Sequence, residues 1–293
     1  MAESTPRVLQ SAPHPLPLML KAALPALPGV NLLPGFGRHG SELPDLALTR
    51  HDVPMDPEHV TAYAAVCGFP HKDTVPVTYP HMLAFPLHMS IMTDGWFPFP
   101  AVGTVHVENS ITQHRPVRVS EKLQVTARAA HLRPHAKGRV FDLLTTVHSQ
   151  GELVWEGIST YLRLGKGDDQ AVAGMAFTDT PEGRTEWDLP ADLGRRYAAV
   201  SGDHNPIHLY PLTAKAFGFP RQIAHGMWSK ARCLAAIENR LPDAVTVEVA
   251  FKKPILLPGT VAFGTERNDQ GNVFALTSPK DGAPHLLGRT RAV

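Results

Sequence analysis

Residues 197–214 read YAAVSGDHNPIHLYPLTA, and they set a carboxylate, Asp203, five residues ahead of an imidazole, His208. An imidazole with an unperturbed pKa of about 6.5 takes a proton near neutrality, and a carboxylate beside it can orient a water or exchange a proton with it. The pair therefore fits activation of water. With 16 histidines in 293 residues, a chance Asp/His pair is common, so the neighbouring residues must carry the reading.

They do so by dictating a stiff corner. Leu193, Tyr197 and Val200 recur at helical spacing, which predicts a short amphipathic helix. Ser201-Gly202 ends that helix with a residue free to take positive φ. Asn205-Pro206 then favours a turn, because proline drives the preceding residue out of the helical region. That turn brings Asp203 and His208 round to face one another. Further on, Ile223-Ala224-His225-Gly226-Met227-Trp228 leads into residues 229–239 (SKARCLAAIEN), helix formers with apolar residues on nearly every face, as expected of a buried helix. Gly226 at its start offers an unobstructed amide to an oxygen that gains negative charge.

The run Tyr197, Ser201-Gly202-Asp203, Asn205-Pro206-Ile207-His208 and Ala214, followed by Ala224-His225-Gly226-Met227, resembles the signature of the MaoC-like, R-specific enoyl-CoA hydratases, which are hot-dog proteins. The resemblance implies reversible syn addition of water across the 2,3 double bond of a trans-2-enoyl thioester, giving the (3R)-hydroxyacyl thioester, with no metal and no other cofactor. It implies Asp203 and His208 as the catalytic pair. His208 would take a proton from water or from C2, and Asp203 would hold the water or leaving hydroxyl and exchange its proton. Gly226 would be the oxyanion donor and Asn205 the residue that supports the pair. The substrate would be the thioester of CoA or of an acyl carrier protein.

A hot-dog unit, one antiparallel sheet wrapped around a helix, needs roughly half of this chain, and 293 residues exceed the usual single domain of about 100–150. An internal copy follows. Residues 63–69 (YAAVCGF) echo residues 197–203 (YAAVSGD), Tyr79-Pro80-His81-Met82 echoes Ala224-His225-Gly226-Met227, and Arg115-Pro116 echoes Lys253-Pro254. In each half a helix, a buried helix and then strands are expected, with apolar periodicity in 102–107 and 245–251. The fold class is thus read as α+β, a double hot-dog. Its parts are a proline-rich arm over 1–50, a first repeat over 51–165, a linker over 166–185 and a catalytic repeat over 186–293. The resemblance spans about Asp56 to Val293. In the first repeat Asp203 is replaced by Phe69, the stretch that holds His208 is shortened to 70–78, and Gly226 becomes His81 or Met82, so that half has lost the machinery. This asymmetry resembles that of double hot-dog hydratases whose silent repeat makes room for a long acyl chain.

Other features bound the reading. A net charge of +1 with 19% charged residues gives no sign of a nucleic-acid partner. Cys67 and Cys233 both fall in apolar segments, which argues against a disulfide framework or thiolate metal site and suits a reducing cytoplasm. The apolar stretch 16–33 is interrupted by Pro17, Lys21, Pro25 and Pro28, too often for a membrane span. His225 is read as packing or holding the turn rather than binding metal. Lys252, Lys253, Arg289 and Arg291 near strand ends are candidates for the phosphates of the carrier. Two other functions use the same cleft: a hot-dog thioesterase, for which the central helix offers only Glu238 near its far end, and an acyl-binding subunit without activity. Pairing into a homodimer is a further expectation for the fold.

Overall fold

The computed structural model describes residues 5–14, 17–18, 21–22 and 40–293. Among these, eleven strands form one sheet, β1 (Arg7–Val8), β2 (Ala47–Pro54), β3 (Thr104–Gln113), β4 (Lys122–His135), β5 (Gly138–Ser149), β6 (Glu152–Leu164), β7 (Thr185–Leu189), β8 (Val245–Phe251), β9 (Gly259–Asn268), β10 (Gly271–Thr277) and β11 (Pro284–Ala292). From residue 40 onward the α-helices are α1 (Pro57–Cys67), α2 (Pro80–Met92), α3 (Leu193–Ser201), α4 (Pro211–Ala216) and α5 (Gly226–Ile237).

The strand order β1-β2-β4-β5-β6-β3-β8-β11-β10-β9-β7 reads as two five-stranded hot-dog sheets, β2-β4-β5-β6-β3 and β8-β11-β10-β9-β7, in mirrored order and joined where β3 pairs antiparallel with β8. The register sets Ile111 opposite Val247 and Gln113 opposite Val245. Each sheet curls around an apolar helix: α2 packs on β4 and β5, and α5 on β10 and β11. α1 and α3 pack against each other across the pseudo-symmetry axis, with the rings of Tyr63 and Tyr197, the first residues of the echoed motif, 6.2 Å apart. Both helices end on a glycine in the left-handed region, Gly68 at φ 83° and Gly202 at φ 73°, whose amides bond back to Ala64 and Ala198.

Two details depart from the sequence reading. Each repeat opens with the outermost strand of its five-stranded sheet, β2 or β7, ahead of its first helix. Because β2 begins at Ala47, the sheet starts inside the stretch read as an arm. The first residue of α2 is Pro80, which by helix start is the counterpart of Gly226, rather than His81 or Met82. Proline has no N–H, so the first repeat lacks a backbone donor at that place for a covalent reason. Of the arm, Arg7–Val8 pairs parallel with β2; most of the apolar stretch 16–33 lies outside the described residues. No helix among the described residues is long and apolar enough to cross a membrane.

The seam between repeats is fastened from inside by Lys230 of α5, which is 0% exposed. Its Nζ donates to Asn109 Oδ1 at 2.5 Å and Asn109 O at 3.3 Å on β3, and to Val247 O at 3.0 Å on β8. Burial pushes its pKa well below that of a free lysine. Removing the amine takes the donor from the buried Asn109 Oδ1, at about 1–3 kcal/mol, and a further bond from one carbonyl on each strand. Lys230→Met is therefore expected to destabilise the fold by roughly 2–4 kcal/mol and to lower Tm by on the order of 5–10 °C in a thermal melt. An unchanged Tm would show that the seam does not depend on it.

Candidate active site

The corner after α3 is built by its own backbone. The Asp203 amide donates to Ser201 Oγ at 3.1 Å, and Asp203 Oδ1 in turn accepts the Asn205 amide at 3.1 Å. Asn205 Oδ1 accepts the Ile207 amide at 3.4 Å and so caps the single 3-10 turn Pro206–His208. Asn205 thus supports the pair by shaping the loop that joins its two members. His208, 8% exposed, sits at the end of that turn, and its Nδ1 lies 2.8 Å from the carbonyl oxygen of Ile223. A carbonyl only accepts, so Nδ1 carries the proton and Nε2 is left as the basic atom.

Residues 222–225 run extended and tie the corner to the rest of the site. Ile223 N donates to Ile207 O at 3.0 Å, Ala224 N to Ile255 O at 2.9 Å, and Leu257 N to Gln222 O at 2.9 Å. His225 then caps α5. Its ring stacks on that of His208 with centroids 3.7 Å apart. Its Nε2 donates to the Asp203 carbonyl at 3.0 Å and lies 3.9 Å from Asp203 Oδ2. One side-chain donor or acceptor atom from each of Asp203, His208 and His225 lies within 4.8 Å of the other two. The expected convergence of Asp203 and His208 is thus present in the geometry, and His225 braces both. Three such side chains invite a metal, but the His225 nitrogen nearest the carboxylate already presents a proton to a carbonyl rather than a lone pair, so the donor set suits proton handling better than ligation.

Burial lowers the pKa of His208 below 6.5, partly offset by the Asp203 carboxylate and the Ile223 carbonyl. Burial likewise holds His225 well below the ordinary range, reinforced by His208. Both rings are neutral near pH 7, and a neutral His208 can act as a base.

These groups open onto a cavity of about 420 Å³. Gly226 lines it as the first residue of the twelve-residue α5, where an amide has no intrahelical partner. A Cβ at Gly226 would come within 3.1 Å of the Phe251 ring, so this wall tolerates glycine best. Lys252 and Lys253 are exposed on the rim. Arg289 is not brought to the site. The β8–β11 register sets it directly opposite Glu248, and its Nε bonds that carboxylate at 2.6 Å while the guanidinium covers Phe177 of the linker. Arg291 joins the same carboxylate at 2.9 Å.

Sequence reasoning missed two contributions. One is the wall opposite Asp203 and His208, which comes from the silent repeat: His81 and Phe85 of α2, His106 of β3 and Tyr161 of β6. No local motif marks these residues; His106 and Tyr161 meet because the β3–β6 register pairs them. The other is Gly194 in the first turn of α3, where a Cβ would overlap the carbonyl oxygen of His208. The Pro206–His208 turn rests directly on that bare backbone.

A double hot-dog with an acid/base corner at its repeat junction is the architecture of an acyl-thioester hydratase or dehydratase, and comparison with known proteins agrees. Residues 173–283 match the MaoC like domain. The chain is 40% identical over 290 residues to 3-hydroxyacyl-thioester dehydratase X of Mycobacterium tuberculosis, covering 96% of this chain and 99% of that protein. The crystal structure of that bacterium's HtdX superposes with a TM-score of 0.76 at 41% identity, covering 84% of this chain and 100% of that one. A further Mycobacterium tuberculosis protein with a double hot-dog fold, 13% identical, shares the fold with a TM-score of 0.52 over 82% of this chain and 93% of its own. The chain belongs to the MaoC-like hydratase/dehydratase family.

Gly194→Ala is expected to displace the His208 turn and reduce turnover by about 100-fold, the scale of a misplacement of roughly 1 Å. Gly165→Ala, with nothing within 4 Å of the added carbon, is the control and should leave turnover unchanged. Equal rates for the two variants would contradict the close approach.

Proposed function

We propose that the protein is a hydro-lyase of fatty-acid metabolism that interconverts trans-2-enoyl and (3R)-hydroxyacyl thioesters, with Asp203 and His208 as its catalytic pair. The observation that carries this reading is the fixed tautomer of His208, whose Nδ1–H is spent on Ile223, leaving Nε2 as a base within reach of the Asp203 carboxylate. In hydration His208 Nε2 takes a proton from a water that Asp203 holds, as the oxygen adds to C3. The same imidazolium then returns that proton to C2. One base serving both positions from one side accounts for syn addition. In dehydration His208 takes the C2 proton and passes it by way of the Asp203 carboxylate, which holds the leaving hydroxyl, to that hydroxyl. As negative charge builds on the thioester oxygen, the amide of Gly226 at the N-terminus of α5 stabilises it.

Lys252 and Lys253 on the rim are proposed to meet phosphates of the pantetheine carrier, whether CoA or acyl carrier protein. Arg289, held by Glu248, takes no part in this proposal. Free, buried Cys67 and Cys233 suit a reducing cytoplasm. Association into a homodimer is proposed from the habit of the fold and is read by sedimentation. The thioesterase alternative is disfavoured by Glu238: it lies beyond the end of α5 and is paired with Lys72 at 3.1 Å.

Asp203→Asn and His208→Ala are each expected to lower kcat on a trans-2-enoyl-CoA by at least about 100-fold with little change in Tm; wild-type turnover in either variant would overturn the assignment. The pH dependence follows from the state of His208. The base must be neutral, and its pKa lies below 6.5, so kcat/KM should hold as pH falls to that value and decline only beneath it. An acid limb centred above 6.5 would mean that another group limits the reaction.

A further inference from the structure

The cavity wall supplied by the silent repeat is more polar than a hydrocarbon tail requires. Five rings follow one another from the core to this wall: Phe99, Phe141, Tyr161, His106 and His81. Their successive centroids lie 6.0, 5.8, 4.6 and 6.3 Å apart, and their planes are 25°, 17°, 16° and 19° from parallel. The two apolar rings are not among the cavity residues; Tyr161, His106 and His81 are. Tyr161 is 8% exposed and His81 3%. Among the described residues neither the Tyr161 hydroxyl nor a His81 ring nitrogen is hydrogen-bonded to another protein group, whereas the neighbouring His88 is anchored through Nε2 on Thr145 Oγ1 at 2.7 Å.

Buried polar groups in folded proteins nearly always have partners, and those that lack one inside a ligand cavity mark what the ligand brings. Burial keeps these groups uncharged: His81 lies well below the ordinary histidine range, with His88, His106 and Lys230 adding to the effect, and the Tyr161 phenol is pushed above its usual value. A neutral imidazole offers one donor and one acceptor, and a neutral phenol a donor and an acceptor. That combination matches an alcohol or a ketone. It gives a carboxylate no full positive charge and an ammonium no negative one.

We propose that His81 and Tyr161 of the silent repeat form a second recognition point for an uncharged oxygen, a hydroxyl or keto group, on the acyl chain of the substrate. The enzyme then prefers oxygen-bearing enoyl thioesters over plain hydrocarbon ones of equal length. This rests on the acyl-thioester reading above and adds the substrate class to it. His81 and Tyr161 are specificity-determining here and take no part in the proton transfers.

The test compares trans-2-enoyl-CoA esters carrying a terminal hydroxyl with their unsubstituted counterparts over a series of chain lengths. Wild-type enzyme is expected to show, at one length, a kcat/KM ratio of about 10 or more in favour of the hydroxylated ester, since sites built to bond a hydroxyl discriminate strongly against analogues that lack it. Tyr161→Phe, which removes one oxygen atom, and His81→Leu should each bring the ratio towards 1 by lowering kcat/KM on the hydroxylated ester more than on the plain one. His81→Gln should retain part of the preference. A wild-type preference for plain esters at every length would overturn the proposal. So would a ratio that survives in both variants, or a Tyr161→Phe variant equally impaired on both esters, which would put the phenol at the reaction centre instead. Should wild-type enzyme turn over neither series, the hydro-lyase reading fails separately. Calorimetric Kd values for saturated terminal-hydroxyacyl-CoA and acyl-CoA would then read the same ratio without turnover, and equal Kd values would overturn this inference as well.

Discussion

The antiparallel pairing of β3 with β8 is the constraint on which the rest of the structure depends. It turns two curled sheets into one continuous sheet and fixes which residues of the first repeat face the Asp203–His208 corner of the second. Ladder bonds alone would tolerate a slip along the strands. Lys230 resists one by donating to β3 and β8 at once from the helix beneath, and a shift of a single residue would exchange the buried and outward faces of both strands. The same pairing sets His106 and Tyr161 over the Asp203 turn, so the site needs both repeats although its reactive groups come from one.

The loss of reactive groups in the first repeat has a local structural form. Between Phe69 and the bridge at Thr74 the chain has no room for the 3-10 turn and α4 that the second repeat inserts between Asp203 and the matching bridge at Ile223. At the start of the central helix a proline replaces the glycine amide. Arg115, the echo of Lys253, is locked by Glu121 and Glu152 at 2.9 Å each, where Lys253 stays exposed at the cavity rim. What the first repeat keeps is packing and ring surface, and it uses both to line its partner's cavity.

How much of this was legible in the sequence follows from the range of the interactions involved. The α3 helix, its glycine cap, the Asn-Pro turn and the start of α5 rest on contacts within a few residues, so residue order alone announces them. The duplication was legible as well, because YAAVCG and YAAVSG encode the same helix and cap. Strands β2 and β7 were not: each pairs with a strand more than sixty residues away, as in Ala47 opposite Arg128 and Thr185 opposite Phe263. Arg289 looked free for a phosphate because its neutralising partner, Glu248, lies on another strand. Gly194 looked like any helical glycine, since the carbonyl that forbids a side chain there belongs to His208 on the far side of the turn.

Burial ties these parts to the proposed chemistry. It keeps His208 and His225 neutral, and the Ile223 carbonyl then decides which nitrogen of His208 is left without a proton. The account stands on that base delivering a water oxygen to C3 of an enoyl thioester. A single-turnover reaction in heavy-oxygen water, with mass and chiral analysis of the product, tests this most directly. The account predicts one heavy oxygen at C3 of a (3R)-hydroxyacyl thioester with the thioester bond intact. Heavy oxygen in a released carboxylate together with free thiol would contradict it.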